Sequence, residues 1–313
     1  MNKGKQRIMV VSIDAGYGHN CSLVRGLKKY RDVKTVWFKK NKHRLDYIVP
    51  DANYGIREVL GETGEIIIVA CGTFNILTDY LRIRHHTKIS DFLKRFTKVT
   101  IIITDSKFAI NPDYYNGVFK DYDVFCTPCK IHWRDSLPTR EYYQPFDLSG
   151  FDRTKTRELT ISHSPFVVEK FAEKGTAEIT KIVNSLGVSL DVITGLPWKQ
   201  AMERKAQSHI FIDQISNDND RKFKNMNGYI WNALGKSGLE GMHLGCMTIT
   251  RGENKSGQIP SPPVVWVNGN LKETLEKYIF DKFAICELQN KQREWALTYA
   301  TEDYAARNIL GMI

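Results

Sequence analysis

The sequence predicts an α/β protein built on two parallel sheets, and three observations carry that expectation. Strand-like apolar runs alternate with helix-like stretches from one end of the chain to the other. The chain is 313 residues long, 42% hydrophobic and 26% charged, with a mean hydropathy of -0.37. That length points to two domains, because single cores stop growing near ~250–300 residues. A segment over 132–157, with Pro138, Pro145 and Gly150 and no clear periodicity, separates two halves of similar plan. The expected organisation is an N-terminal α/β domain over 1–150 and a C-terminal one over 151–313 that includes the terminal helices.

In the first half, Arg7 to Ile13, Thr35 to Phe38, Glu65 to Ala70, Lys98 to Thr104 and Asp123 to Thr127 are apolar, β-branched runs of strand length. Leu23 to Tyr30 and Asp91 to Phe96 have helical spacing. In the second half, strands are expected at Glu158 to Ser162, Leu190 to Thr194, Ile210 to Ile212, Met247 to Thr250 and Val264 to Val267. Helices are expected near Thr176 to Leu186, Trp198 to Ala206, Gly238 to Leu244 and Leu271 to Phe280. Beyond Phe283, Leu288, Trp295, Tyr299, Tyr304 and Ile309 mark long helical patterning, a tail suited to packing back across the domain seam.

No apolar run approaches the ~20 residues of a membrane-spanning helix, and MNKGKQR leads straight into a strand pattern with no apolar signal segment. Six scattered cysteines do not make a secreted disulfide framework. A reducing, cytoplasmic location is expected. The net charge of +10 sits almost wholly at one end, since residues 1–50 hold 12 Lys+Arg against 3 Asp+Glu. Eight of those cations fall between Lys28 and Arg44, interrupted by Trp37 and Phe38. Such a cluster is either a solvated helix end or a footprint for a polyanion or anionic membrane.

Two turns could hold an anion. Asp14-Ala15-Gly16-Tyr17-Gly18-His19-Asn20 follows an apolar strand and precedes a helix, where glycines admit an anion to backbone N–H groups. It lacks the third glycine of a dinucleotide fingerprint, so a plain βα turn competes with that reading. The second turn is Gly235-Lys236-Ser237-Gly238-Leu239-Glu240-Gly241-Met242-His243-Leu244-Gly245-Cys246, running into the strand Met247 to Thr250. Small residues ahead of a helix leave its first N–H groups for a diphosphate, and a carboxylate one turn in can take a ribose diol. The structural alternative makes Ser237 the N-cap and Glu240 the third residue of a capping box.

With Ser208-His209-Ile210-Phe211-Ile212-Asp213-Gln214 and Lys174-Gly175-Thr176 upstream, this turn resembles the donor-binding domain of GT-B glycosyltransferases, especially the large retaining family that uses nucleotide sugars. The resemblance covers roughly residues 158 to 250; the first half matches only in general plan. Members typically read G-x-S-G-L-E-A-M-A-x-G and often carry a second carboxylate eight residues before the glutamate, where this chain has Asn232. The resemblance implies a GT-B architecture, two Rossmann-like domains facing a cleft with C-terminal helices crossing back. It implies a donor site of Gly16, Gly18, Lys170, Lys174, Gly195, Leu196, Pro197, Lys236, Ser237, Gly238, Leu239 and Glu240, with Lys170 and Lys174 competing for the phosphate role. Backbone groups around Gly195-Leu196-Pro197-Trp198 would recognise the base. Catalysis falls to Asp14, His19 and Lys174. For His19, a structural or substrate-contact role ranks above that of general base, which an inverting enzyme would need and a retaining one would not.

Metal chemistry is expected to be absent. Cys126, Cys129 and His132 supply three potential zinc ligands where a structural site wants four. Asp121-Tyr122-Asp123 and Asp218-Asn219-Asp220 satisfy a D-x-D pattern but do not fit the Glu240 motif, and His85-His86 reads as surface. No cofactor is expected beyond the nucleotide-sugar co-substrate. The reading that results is a metal-independent, retaining hexosyl- or pentosyltransferase acting on an anionic acceptor. The best candidate is a modified base in double-stranded DNA, because the plan resembles viral enzymes that glycosylate DNA bases. Tyr17, Trp37, Lys39, Lys40 and Lys42 would hold that acceptor. The alternatives are a lipid acceptor at a membrane surface and a non-catalytic nucleotide- or nucleic-acid-binding protein on the same fold.

Overall fold

The computed structural model describes residues 7–13, 18–38, 64–104, 112–126, 139–166, 174–215, 234–251, 259–267 and 269–313. The chain divides into two compact units, Met1–Pro145 with Glu302–Ile313, and Phe146–Thr301. The break falls five residues before the expected one, and the last twelve residues return to the first unit instead of staying with the second.

The first unit carries β1 (Arg7–Ile13), α1 (Gly18–Lys28), β2 (Asp32–Phe38), β3 (Glu65–Val69), α2 (Cys71–His85), α3 (Ile89–Leu93), β4 (Lys98–Ile103), α4 (Pro112–Phe119), β5 (Asp123–Cys126) and β6 (Thr139–Glu141). Among the described residues, its six strands are all parallel, in the order β2-β1-β3-β4-β5-β6. Ile8 to Val11, Ile66 to Val69 and Ile101 to Ile103 are buried without alternation, as strands covered on both faces must be. β6 lies inside the stretch expected to be linker; three residues are too few for a period-2 pattern to show.

α10 (Glu302–Ile309) joins this unit through Ala305, Ala306 and Ile309, which pack with Leu23 and Leu27 of α1 and with Ile8 and Val10 of β1. Gly26 is what permits the approach, because a Cβ there would collide with the Glu302 carbonyl oxygen. Arg25 pairs with Glu302, and the Tyr30 hydroxyl donates to Asp303 Oδ1 at 2.6 Å.

The second unit carries β7 (Thr160–Phe166), α5 (Thr176–Ser185), β8 (Ser189–Thr194), α6 (Trp198–Ala206), β9 (Ile210–Ile212), α7 (Lys236–His243), β10 (Met247–Arg251), β11 (Val265–Val267), α8 (Leu271–Ile279) and α9 (Lys282–Tyr299). Its five parallel strands run β11-β10-β9-β7-β8. β7 therefore has β8 on one side and β9 on the other, so the order reverses at its C-terminal end, where open α/β sheets bind ligands. Pro165, which cannot donate to a ladder, sits where the β7–β8 register breaks between His163 and Phe166. One face is closed by Ile161, Ile210, Ile212, Met247 and Ile249 under Ile179, Val183, Leu271 and Leu275. Among the described residues, no helix is long and apolar enough to cross a membrane.

Candidate active site

The switch point of the second sheet brings together three segments: the end of β9 with Asp213 and Gln214, the Lys174-Gly175-Thr176 turn, and the start of α7. Gly235 is the N-cap of α7, with no side-chain cap, and the first helical bond runs from the Leu239 N–H to the Gly235 carbonyl. Ser237 is consequently inside the helix, and the capping-box alternative does not hold. The amides of Lys236, Ser237 and Gly238 lie in the first turn, ahead of that first bond, at the positive end of the helix dipole. Leu239 differs from its neighbours in that its N–H is spent on Gly235 and its side chain is buried, so it packs the helix and does not face the turn.

Asp213, without exposed surface, lies directly under this turn. Its Oδ2 accepts from the Gly235 N–H at 2.6 Å, and its Oδ1 lies 3.2 Å from the Lys174 ammonium. A Cβ on Gly235 would come within 2.8 Å of that carboxylate, and one on Gly238 would meet Leu234. The glycines are required by this packing whether or not a ligand is bound. Lys174 also donates to Gln214 Oε1 at 3.1 Å and keeps part of its side chain in solvent.

Glu240, on the third turn position after Ser237, is buried and held from two sides. Its Oε2 accepts from the fully buried Lys205 of α6 at 2.9 Å, and its Oε1 lies 3.4 Å from the indole N–H of Trp198. Lys205 also donates to the Ser237 carbonyl at 3.3 Å and stands 4.3 Å from the centroid of Phe211. Burial lowers the Lys236 ammonium below the ordinary lysine range; the Glu240 carboxylate partly offsets this and Lys205 adds to it. A carboxylate has about four lone-pair sites, so Glu240 retains acceptor capacity for hydroxyl groups.

His163 on β7 is buried between two partners, the Ile212 carbonyl at 2.8 Å from Nδ1 and the Thr176 hydroxyl at 2.9 Å from Nε2. A carbonyl only accepts, so Nδ1 carries the proton and Nε2 accepts from Thr176. Burial pushes this imidazole down to about 4. The neutral ring ties β7 and β9 to the start of α5, where Gly175 at φ 73 makes the left-handed turn that seats Lys174.

Of the residues expected at the donor site, Lys174, Lys236, Ser237, Gly238 and Glu240 come together at this end of the sheet. Gly195, at φ 67, and Leu196 lead into α6, whose N-cap is Pro197 and whose first residue is the exposed Trp198. Gly18 and His19 open α1, and Trp37 is in β2. Asp14, Gly16, Tyr17, Lys39, Lys40, Lys42, Lys170 and Asn232 lie outside the described residues. Asp123 of the first D-x-D is bound by Lys98 at 3.1 Å and Arg140 at 3.2 Å, a surface ion cluster; the second D-x-D and Cys129 with His132 lie outside the described residues. Among the described residues, no group of three or more His, Cys, Asp and Glu could hold a metal ion. Lys205 is the member of the site that the sequence does not single out, and Asp213 stands there only as part of a quoted segment, without a role.

No family model matches the chain, and no curated protein matches it. Solved structures do. An alpha-glucosyltransferase in complex with UDP and a 13-mer DNA containing an HMU base aligns over 99% of this chain and 99% of its own, with 12% identity and a TM-score of 0.62. WaaG, a glycosyltransferase involved in lipopolysaccharide biosynthesis, aligns over 97% of this chain and 100% of its own, with 11% identity and a TM-score of 0.53. The catalytic domain of starch synthase IV from Arabidopsis thaliana, bound to ADP and acarbose, covers 98% and 100%, with 11% identity and a TM-score of 0.52. With its two all-parallel sheets, the chain has the GT-B fold.

Proposed function

We propose that this chain is a glycosyltransferase that moves a sugar from a nucleotide-sugar donor to an anionic acceptor, and that the acceptor is a modified base in DNA. The observation that carries the reading is the first turn of α7 at the switch point, with three amides, the desolvated Lys236 and the buried Glu240 converging on one end of the sheet. The likeness to glycosyltransferases of the same fold, one of them crystallised with UDP and DNA, supports it.

In this reading the amides of Lys236, Ser237 and Gly238 hold the diphosphate, Glu240 takes the ribose hydroxyls, and the turn before Trp198 meets the base. Transfer breaks the bond between the anomeric carbon and the phosphate oxygen and forms one to the acceptor oxygen. The acceptor proton leaves with the diphosphate, and anomeric configuration is retained. Negative charge grows on the departing diphosphate, where the helix dipole and Lys174 or Lys170 stabilise it without a metal ion. The acceptor belongs to the N-terminal unit, whose first 50 residues hold 12 Lys+Arg against 3 Asp+Glu.

The test incubates the protein with UDP-, GDP- and ADP-sugars and duplex DNA bearing hydroxymethylated pyrimidines, with and without EDTA, and reads the mass of the nucleosides. One hexose or pentose added, insensitive to EDTA, is the expected result. No transfer and no donor hydrolysis with any sugar would overturn the enzyme reading; transfer abolished by EDTA and restored by manganese would overturn the metal-independent mechanism.

A further inference from the structure

Lys205 has no exposed surface, and α6 presents it to the interior together with Met202 and Ala206. An ammonium in such a place is neutralised or expelled unless a carboxylate and further acceptors surround it. Glu240 Oε2 at 2.9 Å, the Ser237 carbonyl at 3.3 Å and the face of Phe211 provide that setting. Apolar side chains of the same volume often replace a buried ion pair at no cost in stability. Stability therefore does not explain a lysine here, directly behind the carboxylate assigned to the donor.

We infer that Lys205 is a positioning residue that fixes the Glu240 carboxylate in its buried seat and holds the first turn of α7 in register with it, so that Glu240 selects nucleotides carrying a ribose diol. The inference rests on the donor-site reading above. Its geometric basis is that one ammonium touches both parts of the site, the Ser237 carbonyl in the turn assigned to the diphosphate and the carboxylate assigned to the sugar of the nucleoside. Among the described residues, the second oxygen of Glu240 has only the long contact of 3.4 Å from Trp198, so it can receive a hydroxyl. Without Lys205, the Glu240 carboxylate loses the partner that fixes its orientation, and its alignment with the turn is lost.

The charged and titratable groups around Glu240 among the described residues are Lys205 on α6, Lys236 and His243 on its own helix, and Asp213 with Lys174 under the turn. Arg293 of α9 faces His243, and His163 of β7 feels Lys174, Asp213 and Lys205. Burial holds both histidines at about 4, so neither changes charge near neutrality.

The experiment measures, by calorimetry, the affinities of UDP, ADP and GDP and of their 2′,3′-dideoxy counterparts. The proteins are wild type, Lys205→Met, Lys205→Gln and Lys205→Arg. Wild type should prefer the ribose form by ~10- to 100-fold, as lost charge-assisted hydrogen bonds imply. In Lys205→Met the ratio should fall below about threefold, because the carboxylate has lost the partner that aligns it. Lys205→Gln, closer in polarity, should behave as Lys205→Met does and carries the test if the latter does not fold; Lys205→Arg should keep the ratio. A ratio unchanged in both neutral variants, or lost equally in a folded Lys205→Arg protein, would overturn the inference. A wild type that binds diphosphates with no ribose preference overturns it while leaving the donor site standing. A wild type that binds none of the three overturns the donor site and the inference together.

Discussion

The Gly235 N–H donates to Asp213 Oδ2 at 2.6 Å, so a carboxylate with no exposed surface props the turn that opens α7. The same carboxylate anchors Lys174. Asp213→Ala would orphan the Gly235 amide and release Lys174. The amide alone should cost about 1–3 kcal/mol of folding free energy. The lysine adds less than a fully buried partner would, because it keeps 19% of its side-chain exposure. Urea unfolding measures the loss, and a midpoint equal to wild type would contradict this account of the turn.

In the first unit, Gly26→Ala should destabilise by about 1–3 kcal/mol, the usual cost of overpacking. The added methyl meets the backbone of Glu302 at the start of α10, which cannot move aside as a side-chain tip could. Thermal melts decide it; an unchanged melting temperature would mean that α10 does not pack on α1 as described.

His163 and His243 make a pH prediction. Burial lowers both to about 4, and His243 is held by the Ala300 carbonyl at 3.0 Å. The fold therefore takes the neutral rings. Their contribution is complete above the ordinary histidine value of about 6.5 and is lost as pH falls toward 4, reaching roughly 3 kcal/mol per ring. His243→Leu should show a shallower drop in urea midpoint between about pH 7 and about 4.5 than wild type does. Parallel drops in the two proteins would show that His243 does not titrate in this way.

The acceptor reading predicts salt-sensitive DNA binding. Neutralising Lys39, Lys40 and Lys42 together should flatten the log-log slope of affinity against salt by about 2 to 3. Retention by anionic vesicles with none by DNA at low salt would transfer the acceptor to a membrane and leave the donor site untouched.

Much of the fold is legible because both sheets are buried on two faces and read as continuous apolar runs, Ile66 to Val69 and Ile101 to Ile103 among them. α2 is not among the helices expected, although Phe74, Leu77 and Leu81 have helical spacing with Asn75, Asp79 and Arg82 on the opposite face. The return of α10 to the first unit depends on Gly26, a contact 276 residues distant in sequence that no local pattern announces. At the site, the glycines and Glu240 carry a spacing that can be read. Lys205 has one signal, a lysine three residues after Met202 on the inward stripe of an otherwise polar helix. Asp213 likewise follows the apolar Ile210-Phe211-Ile212 at the end of a central strand, where a lone carboxylate needs partners that only the fold supplies.

The central claim is that the first turn of α7 holds a nucleotide through Glu240, and the dissociation constant of a nucleoside diphosphate for wild type and Glu240→Ala tests it most directly. Loss of the charge-assisted hydrogen bonds to the ribose should weaken binding by ~1.5–3 kcal/mol with the fold intact. Equal affinity in a folded Glu240→Ala protein would contradict the assignment of this turn as the donor site.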